Sequence, residues 1–173
     1  SYINKKFEIE KIISFKGIKQ GIENTNYLLR SKNKKFILTI FEKRVSQNEI
    51  PFFMKLMDQL NNSKINCPKP QKNKNGNYLV RIRKKSACIV SFLEGKDKKL
   101  LNLKNCHEIG KMIAGMHLST KKINLSRKNS MGIKYLNPLL SSIKFKSKKF
   151  TNIEKFLKIN FKDIKMKWPK KLP

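Results

Sequence analysis

The stretch at residues 15–41, FKGIKQGIENTNYLLRSKNKKFILTIF, decides the fold of this 173-residue chain. Residues 27–30 and 36–41 are short runs rich in leucine, isoleucine and aromatic side chains, separated by a polar stretch. This pattern predicts two antiparallel strands joined as a hairpin. Ahead of the hairpin, Gly17 and Gly21 bracket a segment that ends in amide side chains. We interpret it as a candidate phosphate-cradling loop, but from the glycine pair alone an ordinary exposed turn is the favoured alternative.

The segments on either side of the hairpin extend it into an α+β pattern. Residues 14–18 predict a first strand, and residues 78–82 and 87–92 predict two more around a turn at 83–86. Apolar side chains recur at helical spacing between residues 53 and 60. The predicted order is three strands, a helix and two strands, which suits a five-stranded antiparallel sheet with one packed helix.

Two registers compete for the start of that helix. In one, Ser46 caps the helix and Glu49 reaches back to it. In the other, the helix starts at Asn48, which leaves Pro51 in the first turn, where proline is tolerated. In both registers we expect the helix to stop before residue 61.

Beyond Gly95 the pattern becomes helical. Residues 106–117 place apolar side chains at intervals of three and four, which predicts a helix with one buried face. Residues 137–145 predict a short helix, and residues 151–167 a longer one with its isoleucine, leucine and phenylalanine side chains facing inward. His117 falls on the apolar face of the first of these helices, so a structural role is favoured over a catalytic one.

The net charge of +30 first suggests a nucleic-acid or anionic partner. Only five of the 41 basic residues are arginines, and no zinc-finger spacing or RNA-binding aromatic strand accompanies them. The lysines are dispersed along the chain, and biased codon usage explains them at least as well. We therefore expect no specific nucleic-acid partner.

The three cysteines are an odd number without a C-x-x-C pair, which predicts reduced thiols. Cys88 and Cys106 lie in apolar patterns and are expected to be buried. The sequence contains no apolar run of 18 residues and no signal-peptide core at its start. We expect a soluble cytoplasmic protein without a membrane partner, whose sequence, lacking an initial Met, is incomplete at the start.

The wording of the central stretch resembles the opening of the homoserine kinases of the aminoglycoside-phosphotransferase and choline-kinase superfamily. The phrases ENTNYLL and FLEGK are the most specific, and the resemblance covers most of residues 12–140. Further matching phrases are INCPKP at 65–70, GNYL at 76–79, ACIVSFLEGK at 87–96, IGKMIAGMH at 109–117 and RKNSMG at 127–132. The resemblance implies a protein-kinase-like fold. Residues 1–93 would form the nucleotide-binding lobe, and residues 94–173 the hinge and an incomplete helical lobe.

The resemblance also implies an ATP site. The Ser91 carbonyl and the Leu93 amide would bind adenine at the hinge. Apolar walls of the adenine pocket would be formed by Ile22, Leu38 and Phe92. For these apolar side chains, core packing is the alternative interpretation.

The phosphates would lie at the glycine-bracketed loop, against Gly21, Asn24 and Asn26. Protein kinases place a lysine on the third strand to bind these phosphates, with a glutamate partner on the next helix. Thr39 occupies the lysine position here. Lys43 or Arg44 would supply the positive charge and Glu49 the partner, but solvated charges at a helix start are an equal alternative.

The 173 residues contain no H-x-D motif, the phrase that marks the catalytic loop of the resembling enzymes. We therefore expect no catalytic residue and no metal ligand in this chain, with the Mg²⁺ ligands beyond residue 173 and the chain inactive alone. The implied reaction is ATP-dependent phosphorylation of L-homoserine in threonine biosynthesis. A kinase for choline, an aminoglycoside or a sugar is the first alternative, and a non-enzymatic nucleotide- or polyanion-binding remnant the second. The oligomeric state is not predicted.

Overall fold

The computed structural model describes residues 2–19, 23–42, 46–128, 132–142 and 151–167. The chain divides into two compact units, Ser1–Leu125 and Ser126–Pro173. The described helices are α1 (Tyr2–Lys6), α2 (Ile50–Asn62), α3 (Leu103–Thr120), α4 (Ile133–Ser142) and α5 (Thr151–Lys167). The described strands are β1 (Ser14–Ile18), β2 (Asn24–Arg30), β3 (Lys35–Phe41), β4 (Leu79–Ile82) and β5 (Lys85–Ser91).

The first unit is organised around one antiparallel sheet with the strand order β1-β2-β3-β5-β4. The predicted five strands, their antiparallel pairing and the helix between the third and fourth are confirmed. Strand β2 begins at Asn24, three residues earlier than predicted, because its polar start pairs with the end of β3. The β4–β5 turn is shorter than predicted, since Arg83 and Lys84 turn the chain with positive φ angles.

One face of the sheet is covered by the amino-terminal segment. Phe7 is almost completely buried there and packs with Leu38 and Ile89 in the larger hydrophobic core. The segment is fixed at its far end by Glu10, whose carboxylate accepts hydrogen bonds from Ser31 and Asn33 in the β2–β3 turn. Helix α1 lies in this segment and was not predicted, since five residues are too few to establish a helical period.

Helix α2 covers the other face. Ile50 and Met54 are buried against Cys88, which forms a second hydrophobic core. The helix begins at Ile50, so both predicted starts, Ser46 and Asn48, are wrong. Glu49 is the N-cap residue and makes no side-chain capping bond, while Pro51 lies within the first turn, where a missing N–H costs nothing.

Helix α3 begins with a capping box in which Asn102 and Asn105 exchange side-chain hydrogen bonds with each other's backbone N–H groups. The helix is confirmed, but its predicted buried face is wrong. Ile109 and Ile113 are each 41% exposed, and the side chains of Cys106 and His117 are exposed as well. The burial expected of Cys106 is therefore not observed, whereas that of Cys88 is confirmed.

The second unit contains α4 and α5, which contact each other. Helix α4 starts at Ile133, four residues earlier than predicted, and accommodates Pro138 within it. The bounds of α5 are as predicted, but Phe156 and Ile164 are exposed instead of facing inward. None of the described helices combines the length and the apolar composition needed to cross a membrane.

Candidate nucleotide-binding site

Two rows of paired residues cross the sheet on the face where α2 packs. In the first row, Leu28 pairs with Ile37, which pairs with Val90. In the second, Asn26 pairs with Thr39, and Thr39 with the buried Cys88. Because side chains alternate along a strand, both rows lie on the face opposite Leu38. The apolar row lies nearer the end of β5 and the polar row farther from it.

Backbone hydrogen bonds fix the chain where it leaves β5. The Ser91 N–H donates to the Lys69 carbonyl at 2.9 Å, and the Ser91 hydroxyl accepts from the Lys69 N–H at 2.8 Å. On the other side, the Phe92 N–H donates to the Lys35 carbonyl at 3.1 Å. Next in the chain, the Leu93 N–H finds no acceptor among the residues that the structure describes. Three hydrogen bonds therefore hold the end of the strand, and the backbone donor that follows them has no acceptor among the described residues.

The side chain of Lys35 lies at the end of the sheet where the chain leaves β5. Its ammonium lies 2.6 Å from the Glu94 carboxylate and 5.4 Å from the centroid of the Phe92 ring. Phe92 is half-buried. Four residues along β3 separate Lys35 from Thr39, a distance of about 13 Å at the usual rise of a strand. The apolar row lies between these two positions on the same face.

The polar row is built from neutral side chains. The Thr39 hydroxyl donates to the Asn26 carboxamide oxygen at 2.8 Å, and both residues are half-buried. The Asn24 oxygen accepts from the Glu42 N–H at 3.3 Å. Asn24 and Asn26 are strand residues, not loop residues as the sequence suggested. Gly21 and Ile22 lie outside the described residues.

Leu38 is not a wall of the site. It is 7% exposed and packs with Ile3 and Phe7 on the opposite face, so the core-packing alternative is correct for this residue. The residues that share the face of Thr39 are Ile37 and Val90, which sequence reasoning missed, and Val90 packs against the second hydrophobic core. Strand alternation contained the signal, because Ile37 is two residues before Thr39 and must share its face.

The charged residues near the end of β3 are described only in part. Lys43 and Arg44 lie outside the described residues, and Glu49 is the N-cap residue of α2. Glu42 instead binds Lys85 and accepts a hydrogen bond from Thr25 at 2.9 Å, on the face opposite Thr39. Lys85 most strongly, and then Thr25, lower the pKa of the Glu42 carboxyl.

Helix α2 is tied to the sheet edge by the Tyr78 hydroxyl, which donates to the Asp58 carboxylate at 2.7 Å. Between this helix and the sheet lies an apolar cavity of about 420 Å³, with Thr39 and Val90 among its lining residues. Asp58 therefore has a structural partner. Within the described ranges, no three His, Cys, Asp or Glu side chains cluster so that they could hold a metal ion.

The strand order and the helix packed on the sheet are those of a protein-kinase-like fold. Residues 14–140 match the profile of the phosphotransferase enzyme family. The chain belongs to this family.

Comparisons with curated proteins agree. The chain is 38% identical to a homoserine kinase of Parvibaculum lavamentivorans over 136 residues, which are 79% of this chain and 42% of the relative. It is 33% identical to a homoserine kinase of Nitrobacter winogradskyi over 170 residues, which are 98% of this chain and 52% of the relative. The chain thus spans about half the length of the curated relatives that it matches.

Two solved structures share the fold at low sequence identity. The first is a spectinomycin phosphotransferase in complex with ADP and spectinomycin, with a TM-score of 0.59 and 12% identity. It aligns over 95% of this chain and 53% of its own. The second is a microcompartment-associated aminopropanol kinase, with a TM-score of 0.62 and 14% identity over 80% of this chain and 47% of its own.

Proposed function

We propose that this chain carries the nucleotide-binding part of a homoserine kinase, which transfers the γ-phosphoryl group of ATP to the hydroxyl of L-homoserine. The observation that carries the proposal is its identity of 33–38% to homoserine kinases over most of its length. A structural neighbour bound to ADP supports the nucleotide as the phosphoryl donor. The three cysteines, all free thiols, fit a reducing cytoplasm.

The hinge would bind the adenine base through its backbone. The Leu93 amide would donate to a ring nitrogen and the Ser91 carbonyl would accept from the exocyclic amine. Ile37 and Val90 would contact one side of the base, and the half-buried Phe92 ring would close its edge. Because backbone groups bind the base, recognition depends on the path of the chain here more than on side-chain identity.

The phosphates would extend toward the polar row. Asn24, Asn26 and Thr39 lie on the correct face for this role, and the loop with Gly21 and Ile22 precedes them in the chain. We assign no metal ligand in this chain and derive no step through the metal. Lys43, Arg44 and Glu49 remain candidates for binding or orienting the phosphates.

The hinge role of Leu93 is tested by two variants of the protein expressed from its complete reading frame. Leu93→Pro removes the amide donor, whereas Leu93→Ala keeps it and truncates only an exposed side chain. We expect Pro to weaken ATP binding about tenfold or more and Ala to leave it nearly unchanged. Equal effects of the two substitutions would contradict adenine binding by this amide.

The acceptor is tested by measuring ATP-dependent phosphorylation of L-homoserine, choline, an aminoglycoside and aminopropanol by the same protein. We expect the highest kcat/KM with homoserine. A higher value with another alcohol would overturn the acceptor and retain the kinase. The 173 residues alone should be inactive, since they contain no H-x-D motif, and turnover of homoserine by this piece would refute that expectation.

A further inference from the structure

The row of the sheet assigned to the phosphates contains no charged residue. Across the site face it consists of Ile18, Asn26, Thr39, Cys88 and Leu79. The nearest strand cations on that face lie one row away, Lys16 on β1 toward the hinge and Arg81 on β4 in the other direction. Lys35, farther along, is already paired with Glu94. Among the described strands, a bound phosphate at this row would therefore meet neutral groups, where kinases commonly place a lysine.

The one side-chain hydrogen bond within the row fixes the orientation of an amide. The Thr39 hydroxyl donates to the Asn26 oxygen at 2.8 Å, so the NH₂ group of Asn26 points away from Thr39. Neither N–H of that group has an acceptor among the described residues. The NH₂ group of the half-buried Asn26 is therefore available to donate to a ligand or to water.

We propose that Thr39 is a positioning residue that holds the Asn26 carboxamide so that its NH₂ group donates to a nucleotide phosphate. This inference rests on the proposed nucleotide site. Without the Thr39 hydroxyl, the amide is free to rotate and present its oxygen, an acceptor that repels a phosphate. The Thr39–Asn26 pair thus supplies an oriented, uncharged donor at the position where a lysine would supply a charge.

The test compares variants of the protein expressed from its complete reading frame. Calorimetric dissociation constants are measured for adenosine, ADP and ATP. Thr39→Val removes the hydroxyl at nearly constant shape, Thr39→Ser keeps it, and Asn26→Ala removes the donor from the other partner. Thr25→Val is the matched control, because Thr25 makes a comparable hydrogen bond to Glu42 on the opposite face of the sheet.

We expect Thr39→Val and Asn26→Ala to weaken ADP and ATP binding about tenfold and to leave adenosine binding unchanged. Thr39→Ser should retain most of the affinity, and Thr25→Val all of it. Wild-type affinity for ADP in a folded Thr39→Val variant would overturn the inference, as would an equal loss of adenosine binding. Circular dichroism melts identify variants that do not fold, and the partly exposed Asn26→Ala substitution then decides.

Failure of the Thr39 inference and failure of the proposed homoserine kinase activity give different results. A protein that shows the Thr39 effects on ADP but does not phosphorylate homoserine keeps the inference and loses the acceptor. A homoserine kinase whose Thr39→Val variant binds ADP normally keeps the function and loses the inference. A wild-type protein that binds no nucleotide overturns both.

Discussion

Neighbouring residues of β3 should have opposite roles, and a pair of alanine substitutions distinguishes them. Leu38 is 7% exposed in the larger core, whereas Ile37 belongs to neither core cluster of the described residues. Leu38→Ala should cost about 2 to 5 kcal/mol of unfolding free energy, because a buried leucine leaves a cavity. For a chain of this size, that lowers the melting temperature by about 4 to 20 °C.

Ile37→Ala should instead weaken nucleotide binding. Ile37 is already half-buried, so a bound base covers only the remaining surface of the three carbons that the substitution removes, and the loss is about 1 to 2 kcal/mol, or about five- to thirtyfold in affinity. Thermal melts and ATP dissociation constants, measured for both variants under native conditions, provide the assay. The face assignment is refuted if a well-folded Leu38→Ala variant loses ATP affinity, or if Ile37→Ala loses stability as strongly as Leu38→Ala.

Three further predictions concern stability and charge. Tyr78→Phe should lower the free energy of unfolding by about 1 kcal/mol, because it leaves Asp58 without its partner. Urea titrations measure this change, and Tyr135→Phe, at an exposed tyrosine, is the neutral control. Burial most strongly, and then the hydrogen bond to Asp58, raise the pKa of Tyr78 to about 12. The stabilisation of the fold by the protonated Tyr78 should therefore be complete below pH 10 and be lost as pH rises through 12. The Ser31 hydrogen bond most strongly lowers the pKa of Glu10. The ionised Glu10 carboxylate therefore stabilises the fold above its ordinary pKa, and this stabilisation is lost as pH falls through its lower pKa in the folded protein. Glu10→Gln should make the melting temperature depend less on pH in the acid range. Finally, DNA binding driven by the charge of +30 should have a steep salt dependence and vanish near physiological salt, and sequence-specific binding that survives there would contradict the prediction.

The sheet was predictable because each strand is a short apolar run bounded by polar or glycine-containing turns. The exact strand start was not. Asn24 and Asn26 have low strand propensity, yet they extend β2 because their backbone groups pair with the end of β3. The predicted start of α2 was also wrong. Ser46 has the chemistry of a cap, but the helix begins at Ile50, so cap chemistry alone did not fix the boundary.

Burial was harder to predict than secondary structure. The spacing of apolar residues correctly placed α3, and an apolar face is a face suited to burial. Among the described residues, however, Leu103 on this helix is 90% exposed and Ile113 41% exposed. In contrast, Phe7 is buried although no periodic pattern surrounds it, since the amino-terminal segment crosses the sheet at that point. Periodicity reports which side of an element is apolar, whereas burial depends on what packs against it.

The two ends of the candidate site differ in how much sequence can reveal. At the hinge, the Leu93 amide and the Ser91 carbonyl are backbone groups that every residue except proline supplies, so only resemblance to a family located them. At the polar end, Asn26 and Thr39 would act through their side chains, and their juxtaposition follows from strand register once β2 and β3 are paired. Substitutions should therefore be tolerated at the hinge and costly at the polar row. A change of nucleotide affinity on replacing Thr39, with little change on replacing the side chain of Leu93, is what this division of roles requires.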